Sequence, residues 1–361
     1  MNFDYNEEQQ LLADSVRRYL QKDYDFEKRK AIVASKAGWS EDAWAQLAEM
    51  GLTGLPVPAE FGGFGGGAVD LMGVMEAFGE ALVVEPYLPT VLAARLLARA
   101  DFPAKREILS SVVEGKTRLA LAHTEKGARH RVDHVRVKAA RSEAGWTLQG
   151  EKRVVAGAPA AQHLVVSARG PEGVGLFLVD AKDAKLKAYR VLDETQAADV
   201  RLRGAKAEPL GLGLEALEEA IDFGTALVCA EAVGAMKYAC DATLEYLKTR
   251  RQFGVPIGTF QALQHRMVDM FIAYEQAKSI ACLACSKADS SEGPGERKRA
   301  VSAAKIKIAD NARHISQEAI QLHGGMGMTE EMKVSHTFRR LTTVIDQFGD
   351  ADYHLERFAA L

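Results

Sequence analysis

No stretch of this sequence approaches the roughly 20 apolar residues that a membrane span needs. Its N-terminus, "MNFDYNEEQQLL", carries acids where a secretory signal would carry bases and then an apolar run. These two absences predict a cytoplasmic chain. Basic charge is not in excess either. Against 49 Asp and Glu stand 46 Lys and Arg, for a formal net charge of −3. That balance excludes an electrostatic case for nucleic acid or an anionic membrane as partner. Cysteine is sparse, with four: Cys229, Cys240, Cys282 and Cys285. Cys282 and Cys285 form a C-x-x-C inside a helical run, "YEQAKSIACLACSKA". No second ligand pair of finger-like spacing accompanies it, so a metal site is not expected and the thiols read as buried and reduced. Internal repeats and low-complexity tails are absent as well.

What is present reads as a large globular chain. Its 361 residues are 47% hydrophobic and 26% charged, enough for a sizeable core and two or three domains. The first third is helical in period. Asn6 with Gln9 resembles a capping box, and Leu11, Leu12, Val16 and Leu20 follow on one face. Ser40 can cap "EDAWAQLAEM", which Gly51 ends. After a glycine-rich loop, "GLPVPAEFGGFGGGA", helical spacing resumes in "VDLMGVMEAFGEALV" and "PTVLAARLLARA". Near Thr117 the texture changes to short runs rich in Val and Leu: "RLALAHT", "DHVRVKAA", "WTLQG", "KRVVA", "HLVVSAR", "VGLFLVD" and "ADVRLRG". Strands at this spacing, with no helical pattern between them, predict an antiparallel sandwich or barrel. From Gly213 the helical period returns and holds to the end. The expectation is an α+β multidomain fold: residues 1–116 a helical N-terminal domain, 117–210 a middle antiparallel β domain, 211–361 a C-terminal four-helix bundle.

Within the last third, "QLHGGMGMTEE" holds Gly324, Gly325 and Gly327. Glycine permits positive φ and close approach because it lacks a Cβ. Phosphate-binding glycine loops follow a strand and open a helix. This one closes a long alanine-rich helical stretch, so on its own it reads as a helix stop.

A second segment, "RRQFGVPIGTFQALQHRMVDM", alters that reading. Together, in this order and domain setting, the two motifs resemble the acyl-CoA dehydrogenase family of flavoproteins. The similarity covers essentially the whole chain. Its texture is similar above all to the small subunits of pimeloyl-CoA dehydrogenase-type heteromeric enzymes. The resemblance implies FAD bound at a subunit interface, with the C-terminal helices of one chain holding the pyrophosphate and adenosine of a neighbour's cofactor. It assigns Arg250 to the pyrophosphate, which suits a guanidinium fork. Phe253, Phe260 and Gln261 then lie along the same FAD-facing turn. Gln321, Leu322, His323, Gly324 and Gly325 bring backbone close to the dinucleotide, where a side chain on either glycine would block the approach.

Family chemistry also needs a carboxylate base for the α-proton of the acyl-CoA, and donors on the thioester carbonyl. The matching last loop is "TVIDQFGDADYH", in which the base position falls on Phe348. The alternative position, early in the long helix, falls on Gly224. Neither is a carboxylate. Asp346 and Asp350 are nearby acids, and Asp350 also reads as a helix cap. Asp222 matches a family Asp that contacts the substrate, although its usual Arg partner is Thr225 here. In the β domain, "HTEKGARHRVD" keeps Thr124 and Glu125 of a flavin-facing turn but loses its Gly-Ser-Asp. "GEKRVVAGAPAAQ" offers Val154, Val155 and Ala156 where the family has an aromatic, an Ile and a hydroxyl.

The residues a chain lends to its neighbour are thus kept, and those it uses for its own chemistry are eroded. The expectation is a base-less small subunit that completes the FAD site of a larger acyl-CoA dehydrogenase chain, in an α2β2 assembly passing electrons to electron-transfer flavoprotein or a similar acceptor. Three alternatives stay open: a self-sufficient homo-oligomer using Asp346 or Asp350, a flavin monooxygenase or nitroalkane oxidase on the same fold, and a structural subunit without flavin.

Overall fold

The computed structural model describes residues 5–143 and 145–361. In chain order the helices are α1 (Glu7–Asp23), α2 (Phe26–Ala34), α3 (Glu41–Glu49), α4 (Ala68–Ala81), α5 (Tyr87–Arg99) and α6 (Lys105–Val113). Strands β1 (Leu119–Ala122), β2 (Lys138–Ser142), β3 (Gly145–Ala156), β4 (His163–Gly170), β5 (Gly173–Asp180), β6 (Ala184–Arg190) and β7 (Gln196–Gly213) follow. Then come α7 (Leu214–Thr249), a small hairpin of β8 (Arg251–Gln252) and β9 (Val255–Pro256), α8 (Gln261–Ala288), α9 (Pro294–His323), α10 (Lys333–Asp346) and α11 (Ala351–Ala359). Helices, then a sheet, then long helices is the order the texture predicts.

Local chemistry sets many of these boundaries. Asn6 and Gln9 do form a capping box, with Gln9 N–H on Asn6 Oδ1 at 2.8 Å and Asn6 N–H on Gln9 Oε1 at 3.0 Å. Ser40 Oγ accepts from Ala43 N–H at 3.2 Å and starts α3. Gly293 and Pro294 open α9, with proline in the first turn, where its missing N–H costs nothing.

The chain packs as two compact units that do not follow sequence order. One comprises Met1–Arg29, Ala68–Val83 and Thr225–Leu361; the other comprises Lys30–Gly67 and Val84–Gly224. In the first unit α4 and α7 touch backbone to backbone. A Cβ built on Gly79 would lie 1.8 Å from the Glu231 carbonyl oxygen, and one built on Gly234 would lie 1.8 Å from that of Glu76. Only glycine fits at either position. A buried ion pair ties α7 to α10: Arg340 Nε and Nη2 donate to the two oxygens of Glu231, each at 2.6 Å. This is the two-bond geometry that suits a guanidinium. The Asp289 carboxylate caps α4 from a distant segment, accepting from Ala68 N–H at 2.8 Å and Val69 N–H at 2.9 Å.

In the second unit the sheet runs β1-β4-β2-β3-β7-β5, with β6 on β7 and β4 also on β5. Its core holds Leu148, Leu164, Val166, Phe177, Val200 and Leu202. Most pairs are antiparallel, but β1 joins β4 in parallel, Leu119 opposite His163. Two expected strands, "WTLQG" and "KRVVA", are one strand, β3, bent by register shifts at Leu148/Gln149 and Lys152/Val155. β6, "AKLKAYR", was not among the expected runs. Its lysines mask a weak alternation, and they suit an edge strand.

Candidate functional site

The two motifs of the last third both lie in the first unit, and a residue just before the first of them touches the second. Tyr246, in the last turns of α7, stacks on His323 at the end of α9, with ring centroids 4.5 Å apart and planes 26° apart. His323 is buried, and its Nδ1 lies 2.8 Å from the Ala319 carbonyl. A carbonyl only accepts, so Nδ1 carries the proton. Burial holds the imidazole below its usual pKa, with that carbonyl acting against the shift. The ring is a neutral wedge under the glycine turn. Leu322 is buried beside it, while Gln321, Gly324 and Gly325 are exposed.

Beyond α7 the chain turns through the β8–β9 hairpin and back, Ile257 N–H donating to the Arg250 carbonyl at 2.8 Å. Gly258 lets this return lie against α7, where a Cβ would come within 2.9 Å of the Leu247 carbonyl oxygen. Phe253 is 92% exposed at φ 54°, and its ring meets Phe260 edge-on at 6.1 Å. Phe260 is the N-cap of α8 and gives it no side-chain cap, so Gln261 opens a 28-residue helix with N–H groups facing outward. Lys248, Arg250 and Arg251 are exposed, and none has a carboxylate partner among the described residues. An uncapped helix start and unpaired guanidinium groups are both favourable to anions.

The glycine turn follows the end of α9. Gly324 has φ 61° and ψ −146°, a conformation reserved in practice for glycine. Gly325 has no positive φ, and a Cβ built on it meets nothing within 4 Å. Nothing inside the chain therefore requires glycine at 325. Gly327 is different, since its Cβ would strike the Ile320 carbonyl oxygen at 2.9 Å. The far end of the motif is pinned by Ser335 Oγ on the Thr329 carbonyl at 2.8 Å and by His336 Nε2, 3.1 Å from the Glu330 carbonyl. Buried Arg29 faces His336 Nδ1 at 3.2 Å, which makes Nδ1 the acceptor and Nε2 the donor.

Phe348 lies in the turn between α10 and α11, half-buried, at φ 62°. Asp346 is exposed at the end of α10. Asp350 caps α11, its carboxylate accepting from Tyr353 N–H at 2.8 Å. Asp222 and Gly224 are buried near the start of α7, in the second unit.

The β-domain positions also belong to the second unit. Glu125 is buried and saturated: it accepts from Lys152 Nζ at 2.7 Å, Arg136 N–H at 2.7 Å and Val137 N–H at 3.1 Å. Lys152 is buried too and donates to Ser167 Oγ at 2.8 Å. Burial lowers its ammonium to about 8, and Glu125 works against that. Glu125 thus has a structural reason to be there, and Arg153 N–H on the Thr124 carbonyl at 2.8 Å ties the turn to β3. Val154 sits in the bulge at φ 50° with 55% of its surface exposed, an unusual conformation for a β-branched residue. Sequence reasoning missed Tyr246, the open start of α8 and the strain at Val154. Only Tyr246, four residues before Arg250, left a readable trace.

Family models match in three consecutive blocks. These are described as acyl-CoA dehydrogenase N-terminal domain over residues 6–116, middle domain over 120–203 and C-terminal domain over 211–359. Acyl-CoA dehydrogenase IpdE2 of Mycolicibacterium smegmatis is 28% identical over 356 residues, covering 98% of this chain and 99% of that one. A 3-(aryl)acrylate reductase of Clostridium sporogenes is 26% identical over 368 residues, covering 96% of each chain. Among solved structures, a chain of the ChsE4–ChsE5 complex from Mycobacterium tuberculosis superposes with a TM-score of 0.92 at 26% identity, over 100% of this chain and 98% of that one.

Proposed function

This chain belongs to the acyl-CoA dehydrogenase family, and we propose that it acts as the subunit that completes an FAD site on a larger partner chain. One observation carries the reading: the surface a chain would lend is intact and open, while the positions for a base are not acidic. Gly325 lacks a Cβ that its own chain could accommodate. The Arg250 guanidinium and the N–H groups of Gln261 and Ala262 have no acceptor among the described residues. Phe348 and Gly224 cannot take a proton, and Asp350 is committed to capping α11. The solved ChsE4–ChsE5 complex, a pairing of two named chains, supports a heteromer.

FAD is the cofactor of this family, and bound here it supplies an acceptor for hydride from the β-carbon of an acyl thioester. Arg250 would hold the pyrophosphate through a charge-assisted contact. The first N–H groups of α8 add the positive end of a helix dipole. The Gly324–Gly325 backbone allows close approach, and the Tyr246–His323 stack keeps that backbone in place. Gln261, Phe253 and Phe260 border the same surface. Removal of the α-proton falls to the partner. The assembly would be α2β2, with an electron-transfer flavoprotein or similar protein as the acceptor.

The test is to purify this chain with and without its partner, measure flavin absorbance, and assay acyl-CoA oxidation with an artificial acceptor. The expected result is turnover only in the complex, at about one FAD per heterodimer. Turnover by the lone chain at the rate of an ordinary family member would sink the reading and promote Asp346 to candidate base.

A further inference from the structure

Lys305 on α9 has no solvent exposure. Its ammonium group faces three main-chain carbonyls, those of Ile345 at 3.0 Å, Gln347 at 2.8 Å and Gly349 at 2.7 Å. All three lie at the end of α10 and in the turn that follows. Ile345 belongs to the last turn of α10, where carbonyls lack helical partners and the helix dipole is negative. Between the clamped carbonyls sit Phe348 at φ 62° and Gly349 at φ 127°. The Phe348 carbonyl lies 3.3 Å from His354 Nε2, and His354 Nδ1 lies 3.2 Å from Ser302 Oγ. Gly349 can carry no side chain, because a Cβ would meet Tyr353 at 2.5 Å and His354 at 2.7 Å. A left-handed phenylalanine is strained, and here every carbonyl around it is held.

The number of donors matters. Protonated lysine has three N–H groups for three acceptors, and the neutral amine has two. We propose that Lys305 is the positioning residue of the 345–349 turn and that its proton is the latch: the turn keeps its left-handed form, presenting residue 348, while Lys305 is charged, and loosens when it is not.

The surroundings put the latch within reach of ordinary pH. Burial lowers the ammonium to about 8, and Cys229, Asp346 and Asp350 act against that. Cys229, on α7, is itself pushed up to about 12 by burial, so near pH 8 the opposition comes from the two carboxylates. His354 of α11 faces the same turn. The linkage sign separates a latch from a merely structural lysine. Between pH 8 and 10.5 the folded chain has released a proton that the unfolded chain still holds. This group's contribution to global stability therefore rises with pH in that window. A latch requires an opening in which Lys305 stays buried but loses its carbonyls, so that the opened turn holds the proton less tightly than the closed one and protection falls as pH rises toward about 8.

Hydrogen exchange on the full chain, followed by mass spectrometry from pH 6.5 to 9.5 and corrected for intrinsic exchange, reads this directly. The reporting amides are Gln347 N–H, bonded to Thr343 O at 3.1 Å, and Gly349 N–H, bonded to Asp346 O at 3.2 Å. Their protection should fall, by at most about tenfold per pH unit, as pH rises toward about 8 and level off above it, while peptides in the middle of α9 stay flat. Lys305→Met should show low protection at every pH. Protection of the wild-type turn that does not change across the range overturns the proposal, as does a Lys305→Met turn protected like wild type. Should the methionine variant fail to fold, the wild-type profile alone decides. No flavin or partner is involved, so the outcome is independent of the functional reading above.

Discussion

Gly325 can be changed so that stability and cofactor binding move in opposite directions. Its φ is not positive, and a Cβ there meets nothing within 4 Å. For the isolated chain Gly325→Ala is therefore a compatible glycine replacement. It should stabilise by about 0.4–1 kcal/mol, through the lost freedom of the unfolded state. In a chain of this size that is a rise in melting temperature of no more than about 2 °C. If the open space is where a dinucleotide's phosphates lie, the same methyl group pushes them away from the backbone and from Arg250. Loss of one charge-assisted hydrogen bond is about 1.5–3 kcal/mol, or roughly 10- to 150-fold in Kd. Gly325→Val should do the same to a greater degree. The assay is a thermal melt of the lone variant beside a flavin titration of the apo complex, on one preparation. A lower melting temperature with unchanged FAD affinity would mean that Gly325 is only a helix stop, and the argument from its empty surroundings would be wrong.

Other expectations follow from the same geometry. Arg250→Ala should weaken FAD retention by the assembled enzyme by about 1.5–3 kcal/mol and leave the melt of the lone chain unchanged; equal flavin content in the mutant complex would refute the assignment. Gly234→Ala puts a Cβ 1.8 Å from the Glu76 carbonyl oxygen. It should cost about 3 kcal/mol or more, at the upper end of overpacking, as read by urea denaturation. Asp350→Ala should lower stability by about 1 kcal/mol through the lost cap and leave turnover of the complex intact, whereas a loss of 100-fold or more would make Asp350 the base. Phe348→Glu should not by itself give the lone chain turnover, which the acyl-CoA assay with an artificial acceptor checks.

Local signals proved readable where one segment decides its own conformation. The Asn6–Gln9 box, the Ser40 cap and the Asp350 cap each need a side chain and a backbone a few residues away. The β3 bulges were not legible, because the extra residues are counted against β7 and not within β3. Gly79 and Gly234 have no local reason in their own helices. Their reason is the other helix, 155 positions away in sequence. Lys305 was equally silent, since a lysine in a helix is normally a solvated one. In the candidate site the motif residues were visible, but the Tyr246–His323 stack that joins them was not. The interleaving of the two units was out of reach for the same reason: periodicity says that a helix has a buried face, and not what buries it.

That interleaving has a consequence for synthesis. Once Gly224 has emerged from the ribosome, every segment of the β-containing unit exists. The helical unit must wait for its last residue. At roughly 5–20 residues per second, residues 225–361 take on the order of ten seconds. Until residues 225–249 of α7 have emerged, α1 and α4 can pair only with each other. The Gly79 face of α4 has no α7 backbone to meet. A ribosome stalled early in this stretch, before residues 225–249 have emerged, would hold a finished unit tethered to an apolar helix pair that cannot be covered. That apolar face is therefore open on the nascent chain and covered on the released one.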